Sequence, residues 1–113
     1  MPEQKIIFKG IPASPGIVKG EVKIVKSFDD TLKINGEIIV TSFLTPDFVN
    51  LIKRNSKIKG IITKNGGITC HAAIVAREYK IPYIAGVGEA TEKLKNNMTV
   101  ILDGGKGIIY ETS

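Results

Sequence analysis

The sequence predicts a small α/β protein, which can also be described as β/β/α with its hairpins on one side. Short β-branched apolar runs at 38–41 and 58–63 are typical of strands that other layers cover. Helical patterns at 46–54 and 69–80 follow these runs, so strands alternate with helices. A glycine-rich turn within 99–110 predicts a closing β-hairpin. Together these observations indicate one layered unit.

The length fits one domain, and the composition fits an ordinary globular protein. The sequence has 113 residues, of which 42% are hydrophobic and 24% are charged. A chain of this size buries roughly 65% of its unfolded surface, which is enough for a core without disulfides or metal. We therefore expect a single domain spanning 1–113 and exclude disorder along the whole chain.

The formal net charge of +5 comes mostly from lysines that are scattered along the chain. The densest basic stretch, within 53–59, has no interleaved aromatic residues of the kind that single-strand binders use. This pattern favours a solvated basic face over a nucleic-acid footprint, so no nucleic-acid partner is expected. At most, the charge favours phosphorylated or acidic partners.

The cysteine and histidine content excludes two kinds of structural cross-link. A single cysteine, Cys70, excludes an intramolecular disulfide, and one histidine, His71, is too few for a structural zinc site. The N-terminus lacks the charged segment and apolar run of a signal peptide. The apolar runs are far shorter than a membrane span. We expect a soluble, cytoplasmic protein with no metal site and no membrane contact.

The first half is predicted to contain a loop, two strands and a helix. Residues 10–16 are dense in glycine and proline, which predicts a structured loop. Apolar and polar residues alternate over 17–26, which predicts a half-buried strand before the covered strand at 38–41. Thr45 as N-cap and Pro46 at the first helical position predict the start of a short amphipathic helix.

The second half is predicted to contain two strands, two helices and the hairpin. In chain order these are strand 58–63, helix 69–80, strand 82–86, helical turn 90–94 and hairpin 99–110. The chain contains no GxxxxGK[ST] loop for binding nucleotide phosphates. Gly104-Gly105-Lys106 fits only the hairpin turn.

The segment 66–78 carries the chemistry of this sequence. A β-branched run leads into Gly66-Gly67, and the first turn of the following helix carries Thr69, Cys70 and His71. Thr69 can cap the backbone donors of that turn, and the glycines leave the approach open to a phosphate. Free N–H groups and the positive end of the helix dipole make this terminus suitable for an anion.

Helical periodicity places His71 at the edge of the buried face. At about 100° per residue, four side chains form one apolar stripe, and His71 lies roughly 90° from its middle, beside Ile74 and Glu78. A core histidine would lie inside the stripe. The stripe comprises Ala72, Val75, Ala76 and Tyr79.

Three uses of His71 follow from the residues alone. It could be a surface or capping residue, or half of a Cys–His nucleophilic pair with Cys70. The pair is disfavoured because adjacent helical side chains diverge by about 100°, although Cys70 at a helix N-terminus stays a candidate thiol sensor. The third use is a nucleophile that accepts a phosphoryl group, because neutral imidazole is nucleophilic near pH 7. Spacing alone leaves the first and third uses open.

The segment Gly66–Glu78, followed by Ile81-Pro82 and Gly86, closely resembles the phosphohistidine signature of the PEP-utilising enzymes. That family includes phosphoenolpyruvate synthase, pyruvate phosphate dikinase and enzyme I of the sugar phosphotransferase system. The Thr-Cys-His variant looks most like the phosphoenolpyruvate synthase branch. The likeness extends to Ala13-Ser-Pro-Gly16 and to the closing hairpin, so it covers a core of about 10–111.

The resemblance implies a swivelling β/β/α phosphohistidine domain in which His71 is transiently phosphorylated on Nε2. Gly66 and Gly67 would shape the loop and give access to phosphate. Thr69 matches a position that a regulatory kinase phosphorylates in the dikinases, and Cys70 stands where some members have serine. Arg77 would have a structural or domain-contacting role.

The resemblance also implies partners. In the full enzymes this domain carries phosphate between an ATP-grasp nucleotide domain and a (β/α)8 barrel that binds pyruvate or PEP. ATP and Mg are expected on those partners, on other chains, and no cofactor on this one. We expect a domain or subunit of a phosphotransferase, incomplete as an enzyme alone. The alternative is a non-catalytic interaction or regulatory module that keeps the fold without turnover.

Overall fold

The computed structural model describes residues 4–25, 36–42, 58–65 and 71–112, which contain eight strands and two helices. The strands are β1 (Gln4–Lys9), β2 (Ile11–Ser14), β3 (Ile17–Ile24), β4 (Ile38–Thr41), β5 (Gly60–Thr63), β6 (Tyr83–Ala85), β7 (Thr99–Asp103) and β8 (Ile108–Thr112). The helices are α1 (His71–Glu78) and α2 (Ala90–Lys93). With eight and four residues, both helices are too short to cross a membrane.

The strands form one mixed sheet in the order β1-β8-β7-β3-β4-β5-β6-β2. The neighbours β3, β4, β5 and β6 are parallel, whereas β2 is antiparallel to β6. On the other side of β3, the strands β7, β8 and β1 are antiparallel. The prediction of a small domain of strands and helices is confirmed in its coarse form, as a unit dominated by one mixed sheet, and the predicted closing hairpin is formed by β7 and β8.

Gly10 joins the two ends of this strand order. It is the residue between β1 and β2, so the chain passes from one edge of the sheet directly to the other. Its N–H donates to the carbonyl of Gly107 at 2.8 Å. A Cβ at Gly10 would lie 2.6 Å from the carbonyl oxygen of Ala85. The bend therefore requires glycine. Because it connects the two ends of the strand order, the sheet folds over so that its antiparallel half packs on its parallel half.

Two apolar clusters lie on opposite faces of the parallel strands. Side-chain alternation sends Ile38 and Val40 into one cluster and Ile39 into the other. The first cluster includes residues of β7 and β8, and the second includes residues of α1. The strands β4, β5 and β6 are therefore buried on both faces, as the continuous apolar sequences of β4 and β5 predict. The fold therefore has three layers, in the order antiparallel strands, parallel strands and helix α1.

The N-terminal elements differ from the sequence prediction. Residues 11–14, predicted as part of a loop, form β2, and β1 was not predicted at all. Pro12 fits β2 because this strand is at the end of the order and pairs with β6 alone. The strand predicted over 17–26 ends at Ile24. The helix predicted at 46–54 lies outside the described residues.

The end of α1 also corrects the predicted apolar stripe. Lys80 adopts a left-handed conformation with φ of 57°. Its N–H bonds to the Arg77 carbonyl at 3.2 Å, and the Ile81 N–H bonds to the Ala76 carbonyl at 2.8 Å, which is a Schellman motif. The helix therefore stops at Glu78, and Tyr79 is 46% exposed instead of belonging to the core face. Among the side chains of α1 that the structure describes, 73–78, the buried ones are Ala73, Val75 and Ala76.

Candidate functional site: the carboxyl rim of the parallel strands

His71 is the first residue of α1, which the chain enters after leaving the carboxyl end of β5. The return strand β6 is parallel to β5, so α1 begins at the carboxyl-terminal ends of the parallel strands and runs back to their amino ends. We call those carboxyl-terminal ends the carboxyl rim. In α/β sheets ligands bind outside this rim. Gly66, Gly67, Thr69 and Cys70 lie outside the described residues, so their roles stay predictions.

Backbone hydrogen bonds fix the strand ends that form the rim. The Lys64 N–H donates to the Thr41 carbonyl and the Asn65 N–H to the Ser42 carbonyl, each at 2.9 Å. The Val87 N–H donates to the Thr63 carbonyl, also at 2.9 Å. Residues 64 and 65 are therefore held against the end of β4 as the chain leaves β5.

A buried polar contact lies just beneath the rim. Thr63 is fully buried, and its hydroxyl lies 3.2 Å from the Tyr83 hydroxyl, within hydrogen-bonding distance. The contact joins the end of β5 to the start of β6. Because each hydroxyl satisfies the other, the last residue of β5 is held in place.

An ion pair lies at the surface of the rim. The Lys64 Nζ is 3.5 Å from Glu92 Oε1 on α2, with side chains 35% and 66% exposed. α2 is attached to the sheet next to β4, and Leu94, which follows it, is buried in the core. Sequence reasoning missed this pair, because the two residues are 28 positions apart and no local pattern links them.

The helix that carries His71 is attached to the sheet by both apolar and polar contacts. Ala73, Val75 and Ala76 enter the cluster on the inner side of α1. Arg77 Nε donates to the Ala13 carbonyl of β2 at 2.7 Å. The structural role predicted for Arg77 is therefore seen directly.

The other side of α1 faces solvent. Ile74 is 49% exposed, and Glu78 is also exposed. Helical geometry puts the backbone position of residue 71 on the side of α1 that bears these two residues. The two residues that helical periodicity places beside His71 are therefore on the exposed side of α1.

The glycine-rich segment near the C-terminus is a turn, as predicted. The Lys106 N–H donates to Asp103 Oδ1 at 3.1 Å, and the Gly107 N–H donates to the Asp103 carbonyl at 2.9 Å. Asp103 thus closes the turn with its side chain and its backbone. This geometry leaves no phosphate-binding loop in residues 103–107.

A separate groove lies at the opposite end of the parallel strands. Its volume is about 610 Å³, and Lys19, Glu37 and Lys59 contribute to its lining. Glu37 and Lys59 precede β4 and β5, so the groove is at the amino ends of these strands, away from the start of α1. Among the described residues, no three His, Cys, Asp or Glu side chains are close enough to hold a metal ion.

Comparison with known families identifies the chain. Residues 32–107 match the model for the mobile domain of PEP-utilising enzymes. The chain belongs to this family. The matched range contains His71, the carboxyl rim, β7 and the turn that follows β7, and it ends before β8. The family resemblance of 66–78 is therefore part of a match along two thirds of the chain.

A relative with a similar sequence is much longer than this chain. A probable phosphoenolpyruvate synthase from Methanothermobacter thermautotrophicus is 50% identical over 111 residues, which is 97% of this chain. The chain spans only 16% of that relative's length. Further parts of that protein therefore have no counterpart in these 113 residues.

Two solved structures share the fold of this mobile domain. A solution structure of Enzyme I matches 66% of this chain at 35% identity and a TM-score of 0.58, and the match covers 30% of the chain in that structure. The Thermococcus kodakaraensis aconitase X structure matches 94% of this chain and 97% of its own at 25% identity and a TM-score of 0.69. The mobile domain is thus similar in structure to part of Enzyme I and to aconitase X.

Proposed function

We propose that this chain is a phosphoryl carrier in which His71 is transiently phosphorylated. The observation that supports this most strongly is the position of the chain's one histidine. His71 opens a helix at the carboxyl rim of a mobile domain from the PEP-utilising family. A phosphoryl group at that position lies where backbone N–H groups and the helix dipole favour negative charge.

The reaction is a phosphoryl transfer between nitrogen and oxygen. The lone pair of an imidazole nitrogen of His71, proposed as Nε2, attacks the donor phosphorus and forms a P–N bond. The bridging P–O bond of the donor breaks, and its electron pair leaves with the donor oxygen. In the second step an acceptor oxygen attacks the same phosphorus, the P–N bond breaks, and its electron pair returns to the imidazole.

The loop before His71 has supporting roles in this proposal. Gly66 and Gly67 let a phosphoryl group approach the backbone, and Thr69 caps the first turn of α1. Phosphorylation of Thr69 would add a second negative charge beside the carrier histidine and would oppose its loading. Cys70 is adjacent to the carrier but has no part in the transfer.

The proposal requires partners that supply and accept the phosphoryl group. A nucleotide-binding partner of the ATP-grasp type would be the donor side, with ATP and Mg bound there. A barrel that binds pyruvate or PEP would be the acceptor side. The length of the Methanothermobacter relative, of which this chain matches 16%, supports the presence of such parts in related proteins. We propose that the exchange takes place in the cytoplasm and that the domain swivels between the two partners.

A non-catalytic module is the second candidate function. The likeness to aconitase X, at a TM-score of 0.69, supports it because that protein's name indicates no phosphotransfer. Such a module would bind its partner equally well with and without the imidazole of His71. It would also stay unmodified in the presence of a phosphoryl donor.

The test combines this chain with a donor from its relative. The Methanothermobacter protein, with the segment that matches this chain deleted, is incubated with ATP, Mg and either the wild-type chain or His71→Ala. Intact-mass analysis without acid should show one added phosphoryl group on the wild type and none on the variant. Cys70→Ser is the matched control and should be labelled like the wild type. An unlabelled wild type that still binds the relative would favour the non-catalytic module.

A further inference from the structure

Lys64 is an anchored cation at the carboxyl rim. It follows β5 directly, and its backbone N–H donates to the Thr41 carbonyl at 2.9 Å, which fixes where its side chain leaves the sheet. Its Nζ lies 3.5 Å from Glu92 Oε1. The lysine head is therefore held beside α2, although its long stem allows it to reach other partners.

The contact between Lys64 and Glu92 is easily exchanged. The carboxylate side chain is 66% exposed, and a solvated pair of this kind is weakened by water and salt. A phosphoryl group carries a charge of about −1.5 to −2 and three acceptor oxygens, so it attracts an ammonium more strongly than one carboxylate does. A phosphoryl group within reach would therefore draw Lys64 away from Glu92.

The topology brings Lys64 and the start of α1 to the same rim. Lys64 follows the carboxyl end of β5, and the crossover through α1 to the parallel strand β6 must begin at that end. The first turn of α1 contributes Ala73 to the core cluster that also contains Ala85, the last residue of β6. The far end of α1 leads to Pro82, whose carbonyl accepts from the Ile61 N–H near the amino end of β5. Lys64 and His71 are thus at one end of this layer.

We propose that Lys64 neutralises the phosphoryl group on His71 and that Glu92 holds the lysine while the histidine is unmodified. This inference rests on the proposed carrier function. When the P–N bond forms, the ammonium of Lys64 moves from Glu92 to the phosphoryl oxygens, and no proton is transferred. Glu92 is then left as an unpaired carboxylate on α2, so the loaded and unloaded carriers present different charges around the rim.

Phosphoramidate is a suitable probe because it tests the chain without a protein partner. Its P–N bond breaks, ammonia leaves, and the His71 nitrogen forms the new P–N bond. The initial rate of labelling is measured by intact mass for the full chain. Lys64→Gln should be labelled about tenfold more slowly, which corresponds to the loss of one charge-assisted contact, and Lys64→Arg should keep most of the rate.

Glu92→Gln should be labelled about twofold faster than the wild type, because the lysine is no longer held. In the Lys64→Gln background the same Glu92→Gln change should have no effect, since the two residues act through one contact. Lys106→Gln, which removes an exposed lysine from the β7–β8 turn, is the matched charge control and should behave like the wild type.

The outcomes separate this inference from the carrier function. A wild-type chain that phosphoramidate and the protein donor both fail to label overturns the carrier function and the role of Lys64 together. Normal labelling of His71 with equal rates for Lys64→Gln and Lys106→Gln overturns the role of Lys64 alone. A faster rate from Glu92→Gln in the absence of Lys64 overturns the exchange between the two partners.

Discussion

The Arg77 Nε donates a 2.7 Å hydrogen bond to the Ala13 carbonyl, which ties the helix that starts at His71 to strand β2. These residues are 64 positions apart in the chain. β2 is the end strand of the sheet order, and the one described strand that it pairs with is β6. One side chain therefore fastens both the helix and the end of the sheet.

Replacement of Arg77 by Met should loosen this attachment. We expect the free energy of unfolding to fall by about 1 kcal/mol, because a part-buried hydrogen bond is lost while the apolar stem is kept. Thermal denaturation should show a midpoint lower by about 4 °C. Glu78→Gln, at the exposed neighbouring position, is the control and should be within about 0.5 kcal/mol of the wild type. Equal stabilities for the two variants would show that the bond does not hold α1.

Gly104→Ala should destabilise the chain strongly. A Cβ at this position would overlap the backbone carbonyl oxygen of Ser14, which cannot move without shifting β2. We expect a loss of at least about 2 kcal/mol in chemical denaturation. Gly105→Ala is the matched control, since its nearest neighbour would be Asp103 Oδ1 at an ordinary 3.7 Å. Similar losses for both variants would contradict the close approach of the turn to β2.

The hydroxyl pair beneath the rim should show coupling between Thr63 and Tyr83. Thr63→Val or Tyr83→Phe alone leaves a buried hydroxyl without this partner, and each should cost about 1 kcal/mol. The double variant should cost less than the sum, because neither hydroxyl then remains. Urea denaturation of the four proteins measures this coupling energy. Additive losses would mean that the two hydroxyls do not interact.

The strands and turns that were predicted correctly are those whose local sequence pattern matches their burial and pairing in the fold. The runs 38–41 and 60–63 are β-branched and buried on both faces, and the glycine-rich turn lies between two alternating strands. The strand Ile11–Ser14 was missed because Pro12 and the surrounding glycines resemble a loop. Its strand conformation depends on pairing with β6, some 70 residues further on.

Sequence analysis predicted the part of the candidate site that lies within one short segment, but not the contacts between residues that are far apart in the chain. His71 was identified from its position after two glycines and before an amphipathic helix, and the structure gives it as the first residue of α1. The ion pair of Lys64 with Glu92 spans 28 residues and leaves no pattern in the sequence. Tyr79 was wrongly assigned to the core because a left-handed lysine at residue 80 ends the helix, a conformation more typical of glycine.

Localisation of the phosphoryl group tests the carrier function most directly. The chain is labelled with the donor from the Methanothermobacter relative, digested at neutral pH, and sequenced by tandem mass spectrometry under conditions that keep P–N bonds intact. The phosphoryl group should be on His71, and acid treatment should remove it. Stable phosphate on Thr69 alone, or an unmodified His71 in a chain that binds the donor, would contradict the proposed function.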